Sequence, residues 1–236
     1  MRSVTHEHVM RHLRNTDAIL ELNSGTGIDA EFFAKNGFRI HCTDVSDGML
    51  TQLANKISEK NLSALISFEK LSYTDLSGIP PHSFNYIFSN FGGLNCAPDL
   101  VKVVSQFPTL LKPGGRLTLV MMPRICPWEL ALVLRGKIKT AFRRLHKNGV
   151  MANVEGVQFR TYYYSVNEVK LALGPKFRIL DVQGLGSVSP PPYMEHFPER
   201  YPGIFGRLIL LESKLSHFFP FNCWADHFII TAELCE

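Results

Sequence analysis

The sequence predicts an α/β fold: a doubly wound, mostly parallel sheet with insertions after the fifth strand and near the C-terminus. Three observations carry that expectation. Short apolar runs alternate with helical stretches from residue 18 to residue 121. The runs lack a two-residue alternation, as strands covered on both faces do. A glycine turn in "LNSGTG", residues 22–27, joins the first run to the helix after it.

The elements follow in order. Residues 4–14 place Val4, Val9, Met10 and Leu13 at helical spacing. "DAILELN" is the first strand, and "IDAEFFAKNG" a helix closed by Gly37. "FRIHCTD" is the second strand, and "SDGMLTQLANKISEK" a helix capped by Ser46 or Asp47. "ALISFEKL" is the third strand, and "FNYIFSNF" the fourth, bounded by Pro80–Pro81 and Gly92–Gly93. "DLVKVVSQFPTLL" is a helix that Pro108 kinks or ends late. "KPGG" turns into the fifth strand, "RLTLVMM".

After Pro123 the rhythm breaks. "WELALVLRGKIKTAFRRLHK" reads as a helix or helix pair, "FRTYYYSV" as a strand or edge segment, and "NEVKLALG" as a helix. "FRILDVQGLG" is a strand, "GIFGRLILLESKL" a helix within a proline-rich stretch, and "WADHFIITAEL" a last strand. The expected organisation is a single domain over 1–236. Its core covers about 15–123, 159–186 and 223–234, and lid insertions cover about 124–158 and 187–220.

Composition sets outer limits. A chain of 236 residues with 45% hydrophobic and 19% charged residues buries roughly 70% of its unfolded surface and needs no covalent staples. The formal charge of +4 is mild and does not call for nucleic acid. Five cysteines, Cys42, Cys96, Cys126, Cys223 and Cys235, show no Cys-x-x-Cys pair, which fits a reducing, cytoplasmic setting. The histidines form no ligand pattern, so no metal site is expected. Arg2, His6, Glu7 and Arg11 interrupt the early apolar residues, so neither a secretory leader nor a membrane span is expected.

The loop after the first strand offers backbone N–H groups and a helix N-terminus to a ligand, and Gly25 and Gly27 allow close approach. Asn23 stands where a first glycine is usual, and Asn tolerates positive φ best after glycine. Asp44 lies nineteen residues past Gly25 at the end of the second strand, where an acid takes ribose hydroxyls. Loop and acid together point to a nucleoside-type ligand, either NAD or S-adenosylmethionine. Ala30 at the third fingerprint position leaves both open.

Four motifs, in order over about residues 15–123, then resemble the class I S-adenosylmethionine-dependent methyltransferases, small-molecule type. They are "ILELNSGTG", "HCTDVSDGML", "PHSFNYIFSNFGGLN" and "LLKPGGRLTLVMMP". The resemblance implies a Rossmann-like, seven-stranded sheet and S-adenosylmethionine as cofactor, with S-adenosylhomocysteine as product. It implies that Glu21, Asn23, Ser24, Gly25, Thr26 and Gly27 hold the methionine end and ribose. Asp44 would take the ribose hydroxyls, with Val45 and Met49 beside the adenine. Leu71, Ser72 and Tyr73 would cap the adenine edge, and Asn90 and Phe91 would line the sulfonium end. The sequence departs from the pattern at Asn23 and Ser24, at Ser72, where many members carry Asp, and at Asn85-Tyr86, where Asp usually follows Phe.

The expected reaction is methyl transfer to a small apolar or aromatic metabolite. The alternative is a non-catalytic adenosyl-binding or partner-binding relative, to which only the departures point. Alignment carries most of such a displacement, with a base where the acceptor loses a proton. Asn90 and Glu129 are the candidate catalytic groups, with His146, His196 and Tyr163 as other possible bases. Trp128, Tyr163 and Tyr193 are expected in the acceptor pocket. The basic run "RGKIKTAFRRLHK" fits an anionic substrate, a carrier or a membrane, but reads first as a solvated helix face with Ile138, Phe142 and Leu145 turned inward.

Overall fold

The computed structural model describes residues 1–154 and 156–235, and for Val154 and Val157 the backbone alone. Its centre is a seven-stranded sheet in the order β3-β2-β1-β4-β5-β9-β8. The strands are β1 (Ala18–Leu22), β2 (Arg39–Asp44), β3 (Ile66–Lys70), β4 (Phe84–Ser89), β5 (Leu111–Met121), β8 (Phe177–Leu185) and β9 (His227–Leu234). The first five run parallel, and β9 enters antiparallel between β5 and β8. The chain therefore winds outward in opposite directions from the β1/β4 pair, the switch point at whose carboxyl edge ligands sit.

Side chains alternate between the two faces of the sheet. Leu20 and Leu22 of β1 join Ile87, Leu117, Leu119, Phe228 and Ile230 under α4 (Leu100–Val104), α5 (Phe107–Leu110) and α8 (Val166–Leu173). Ile19 faces the other way, with Tyr86, Phe88, Val120 and Ile229, under α1 (Arg2–His12), α2 (Ile28–Lys35) and α3 (Asp47–Glu59). Both faces are covered, which is why the strands read as continuous apolar runs. Helix ends follow the expected chemistry. Ser46 Oγ accepts from Met49 N, Ser165 and Glu168 form a capping box, and Asp99 caps α4. Pro108 stands in the first turn of α5, so the stretch read as one helix is two.

Two elements differ from the sequence expectation. The stretch after Pro123 is not a long helix. It is α6 (Pro127–Leu130), a 3-10 segment Ala131–Arg135, α7 (Ile138–Ala141) and a 3-10 turn Arg143–Leu145. Gly136, in the left-handed region at φ 71°, ends the first part, so the helical period is present without a helix to use it. "FRTYYYSV" does not join the main sheet either. Val157–Thr161 is β7, paired antiparallel with β6 (Val150–Val154) in a separate two-stranded ribbon. Between β8 and β9 lie α9 (His196–Arg200) and α10 (Pro202–Leu215). No helix among the described residues is long and apolar enough to cross a membrane.

A buried polar chain ties α1 to the sheet. Tyr86 Oη, Thr118 Oγ1, Thr231 Oγ1 and His8 Nε2 are linked at 2.5, 2.6 and 2.8 Å, and His8 Nδ1 meets Gln183 Oε1 at 2.8 Å. Burial lowers the His8 imidazole to about 4, so it is neutral in the folded protein at neutral pH. The unfolded chain then binds the proton more tightly than the folded one. Stability is full above the unfolded value of 6.5, falls as the pH drops below it, and levels off below about 4. The loss expected across that window is about 3 kcal/mol from this group. Urea unfolding between pH 7 and pH 4 checks it, because His8→Asn should flatten the slope while lowering stability at pH 7.

Candidate functional site

The site is built on the carboxyl edge of β1, β2, β4 and β5. At the end of β1 the chain turns with Asn23, Gly25 and Gly27 at φ 50°, 56° and 71°. Asn23 thus adopts the left-handed geometry a glycine would, and its side chain does more. Its Oδ1 accepts from Ser89 Oγ at 2.8 Å, and its Nδ2 donates to the Asn90 carbonyl at 3.4 Å, tying the β1 turn to the β4 turn. A Cβ at Gly93 would lie 2.0 Å from that amide, so glycine there makes room for it. Asn23→Ala keeps the strained φ and loses both bonds, and is expected to cost about 1–2 kcal/mol. Asn23→Gly should cost less, because it relieves the strain. Denaturant midpoints of the pair check this, and equal losses would count against the backbone argument.

Asp44 stands at the end of β2, its carboxylate accepting from Gly25 N at 2.8 Å and Ser46 N at 2.9 Å. It therefore braces the loop from outside while lying beside its open mouth. Around this edge, large apolar side chains are left uncovered: Val45 (59% exposed), Ile28 (47%), Met49 (39%) and Phe91 (39%). Ser24 Oγ is buried with no hydrogen-bond partner, and a Cβ at Gly25 would meet open space. An adenosyl ligand suits this set, since it offers a flat face for the uncovered apolar groups, hydroxyls for Asp44 and polar atoms for the orphaned hydroxyl. Leu71 N donates to the Asp44 carbonyl, Ser72 pairs with Thr74, and Tyr73 Oη reaches the Gly93 carbonyl at 3.4 Å, its phenol pushed up to about 12 by burial.

A second polar cluster lies under the loop. Glu21 is 2% exposed, and burial with the nearby Asp29 charge raises its carboxyl well above the usual range. Burial would raise Asp29 too, but His6, Arg2 and Asn90 outweigh it and hold that carboxyl down. Asn90 Nδ2 donates to Asp29 at 2.9 Å, and Asn90 Oδ1 accepts from Phe91 N at 2.8 Å. The Asn90 side chain is thus committed to shaping its own turn. Arg2 lies over the Phe91 ring at 4.5 Å and pairs with Asp29. Through Arg2 and His6, α1 clasps this side of the mouth.

The third group was missed from sequence. Because β9 runs antiparallel to β5, with Phe228 opposite Met121, its first residue, His227, comes to the carboxyl edge. The His227 ring packs edge-on to Phe91 at 6.1 Å, and its Nδ1 meets Asp226 Oδ2 at 2.9 Å. Asp226 is held in turn by Arg144 at 2.7 Å. Arg144, 3% exposed, also pairs with Glu129 and donates to the Asp226 carbonyl at 2.7 Å. Glu129 receives both Arg143 and Arg144. Burial would raise its carboxyl, but the two guanidiniums keep it below the usual range. It is therefore an ionised anchor and a weak proton acceptor.

Tyr163 is buried under the Arg144 guanidinium, 5.3 Å from ring centre, and burial raises its phenol. Tyr193 is half exposed, and burial of its hydroxyl end raises its phenol. Trp128 is partly buried, with Nε1 enclosed and unpartnered. Tyr163 and Glu129 thus meet at Arg144, whereas His146 and His196 are exposed at the surface. The signal available in the sequence was the acidic-His pair in "WADHF" at the mouth of a strand, but nothing there announces which edge that strand reaches.

Two groups of potential metal ligands occur among the described residues, and both are already occupied. Cys126, Glu129 and Asp226 surround the Arg144 guanidinium, which fills the cation's place. His8, His12 and Asp181 approach one another, but both His8 nitrogens are bonded and Arg11 stands 3.5 Å from Nδ1.

Residues 19–115 match the family model described as a methyltransferase domain. The S-adenosyl-L-methionine-dependent Diels-Alderase iccD of Talaromyces variabilis is 34% identical over 107 residues, 45% of this chain, and the chain spans 36% of that relative's length. Among solved structures, a SAM-dependent methyltransferase from Methanosarcina mazei superposes with a TM-score of 0.66 at 18% identity, covering 97% of this chain and 98% of that one. The [4+2]-cyclase SpnF gives 0.63 at 17%, covering 98% and 81%. At those identities the structures speak for the fold. Residues 19–115 are thus similar to a methyltransferase domain, and the superpositions give the chain the fold of S-adenosylmethionine-dependent methyltransferases.

Proposed function

We propose that the chain transfers the methyl group of S-adenosylmethionine to a small, apolar or aromatic metabolite. The observation that supports this reading best is the placement of the His227–Asp226 pair against Phe91, beside the loop of 23–27. The cofactor, when bound, supplies a methyl group on a sulfonium that the acceptor displaces in line. The chain supplies the rest. Gly25, Gly27, Ser24 and Asp44 fix the adenosyl moiety, with Val45 and Met49 against its base and Phe91 toward the reacting end. Asn90 shapes the Phe91 turn. His227 Nε2 accepts the proton the acceptor gives up. Asp226 receives Nδ1–H and so selects the tautomer with Nε2 free, the orienting role a carboxylate plays for a catalytic imidazole. Arg144 and Glu129 hold Asp226 from behind. Trp128, Tyr163 and Tyr193 offer the acceptor an aromatic wall, and the insertions 124–158 and 187–220 close over it. The five free cysteines suit a cytoplasmic setting.

A specific observation supports a second reading: the similarity to an S-adenosyl-L-methionine-dependent Diels-Alderase. In that reading this chain would bind the cofactor without spending its methyl group and would hold a substrate for ring closure. Incubation of the protein with trideuteromethyl cofactor and a metabolite extract separates the possibilities. Methyl transfer yields a product heavier by the labelled methyl group, with S-adenosylhomocysteine in equal amount. A product isomeric with its substrate, formed with no cofactor consumed, would replace this reading with cyclisation. Cofactor binding with neither change would leave a non-catalytic adenosyl-binding protein.

A further inference from the structure

The segment between β5 and the β6–β7 ribbon, within the insertion 124–158, carries an exposed surface beyond the individual residues assigned to the candidate site. Val133, Leu134, Arg135, Gly136, Lys137, Ile138 and Lys139 are seven consecutive exposed residues. Leu134 is 90% exposed and Ile138 59%. The inward-facing arrangement expected for this run is not found, since Phe142 and Leu145 are also exposed, at 43% and 49%. The cause is local. Gly136 reverses the chain, α7 is a single turn, and the residues that do turn inward are Ala141 and Arg144.

The charges around this tip are of one sign. Arg135, Lys137, Lys139 and Lys147 form no ion pair among the described residues, whereas Arg143 and Arg144 are taken up by Glu129 and Asp226. From residue 130 to residue 154 there is no Asp or Glu. The lobe therefore presents aliphatic side chains at its crest, cations beside them and no acid. A nucleic-acid surface would set several aromatic rings among its cations for stacking, and here the crest is aliphatic, with Phe142 the one exposed phenyl ring in the run 133–147. A groove on another protein would cover the apolar crest without needing cations of one sign. An anionic bilayer takes both, because aliphatic groups enter the headgroup–acyl boundary while Lys and Arg stems lie along it with their charges at the phosphates.

We propose that residues 133–139, with Phe142 and Leu145, are a docking surface for an anionic lipid membrane. Charge complementarity and a solvent-exposed aliphatic crest argue for that occupant. The inference does not depend on which reaction the site performs.

Sedimentation with vesicles tests it, using phosphatidylcholine alone and phosphatidylcholine mixed with phosphatidylserine, at low and high salt. Binding is expected to the mixed vesicles, to be weaker on phosphatidylcholine alone, and to fall with salt. Leu134→Glu with Ile138→Glu should weaken it about tenfold or more, and Lys137→Glu with Lys139→Glu by about tenfold with a smaller salt dependence. Circular dichroism and an unchanged affinity for S-adenosylhomocysteine show that the variants are folded. The proposal is overturned if the wild type ignores both vesicles, binds them equally at every salt concentration, or binds mixed vesicles as well after both pairs of substitutions. It is also overturned if the lobe retains an acidic peptide or RNA while leaving vesicles free.

Discussion

Arg144→Met is expected to destabilise the folded protein by about 3–5 kcal/mol, the range for removing one partner of a buried ion cluster. The argument rests on what is left behind. Glu129 and Asp226 are 2% and 5% exposed, and Arg144 bonds both of them. Without the guanidinium, two buried carboxylates face each other. Arg143 can still neutralise Glu129, but Asp226 keeps only His227. For a chain of this size the loss corresponds to a melting temperature lower by roughly 10 °C. Thermal unfolding monitored by circular dichroism measures it. A shift under about 2 °C would mean that the cluster is dispensable to the fold.

His227→Ala is expected to lower turnover about 10²–10³-fold on an acceptor that must lose a proton, a span typical of a positioned base. Affinity for S-adenosylhomocysteine should stay within about twofold of wild type, since the imidazole supports no part of the adenosyl cradle. Added imidazole should restore part of the rate, which a merely structural role would not allow. Asp226→Asn is expected to reproduce much of the loss by turning the ring to the wrong tautomer. Stopped-time assays with labelled cofactor give the numbers. An unaltered rate in His227→Ala would remove the imidazole from the chemistry and leave the transfer to alignment alone.

The parts of this site that sequence could show are those whose chemistry is local. The β1 turn is legible because glycines and an asparagine at positive φ leave few backbone alternatives. Asp44 is legible because strand length and helix cap fix where it falls. The Arg144–Asp226–His227 chain was not legible, because 82 residues separate its first two members and only the antiparallel entry of β9 beside β5 unites them. The same arginine sat inside what reads as a solvated basic face. Its neighbours really are exposed, but Arg144 is drawn inward by two carboxylates whose positions no spacing rule gives. The helical period of residues 128–147 misled for a related reason: it is genuine, yet one left-handed glycine divides the segment into turns too short to bury it. Of "FRTYYYSV", only Phe159–Thr161 lie in a strand, β7, which pairs with β6 and not with the main sheet, while Tyr162–Tyr164 lie beyond its end.

The central claim is that the carboxyl edge between Asn23 and Asp44 is an adenosyl site whose ligand is the sulfonium cofactor or its product. Calorimetric titration with S-adenosylhomocysteine tests it most directly. The account predicts binding at one molecule per chain and no heat with NAD. It also predicts an affinity lowered by about 1–3 kcal/mol in Asp44→Ala, the range for leaving a buried polar partner unpaired. Absence of S-adenosylhomocysteine binding to the folded protein, tight binding of NAD, or an unchanged affinity in Asp44→Ala would contradict it.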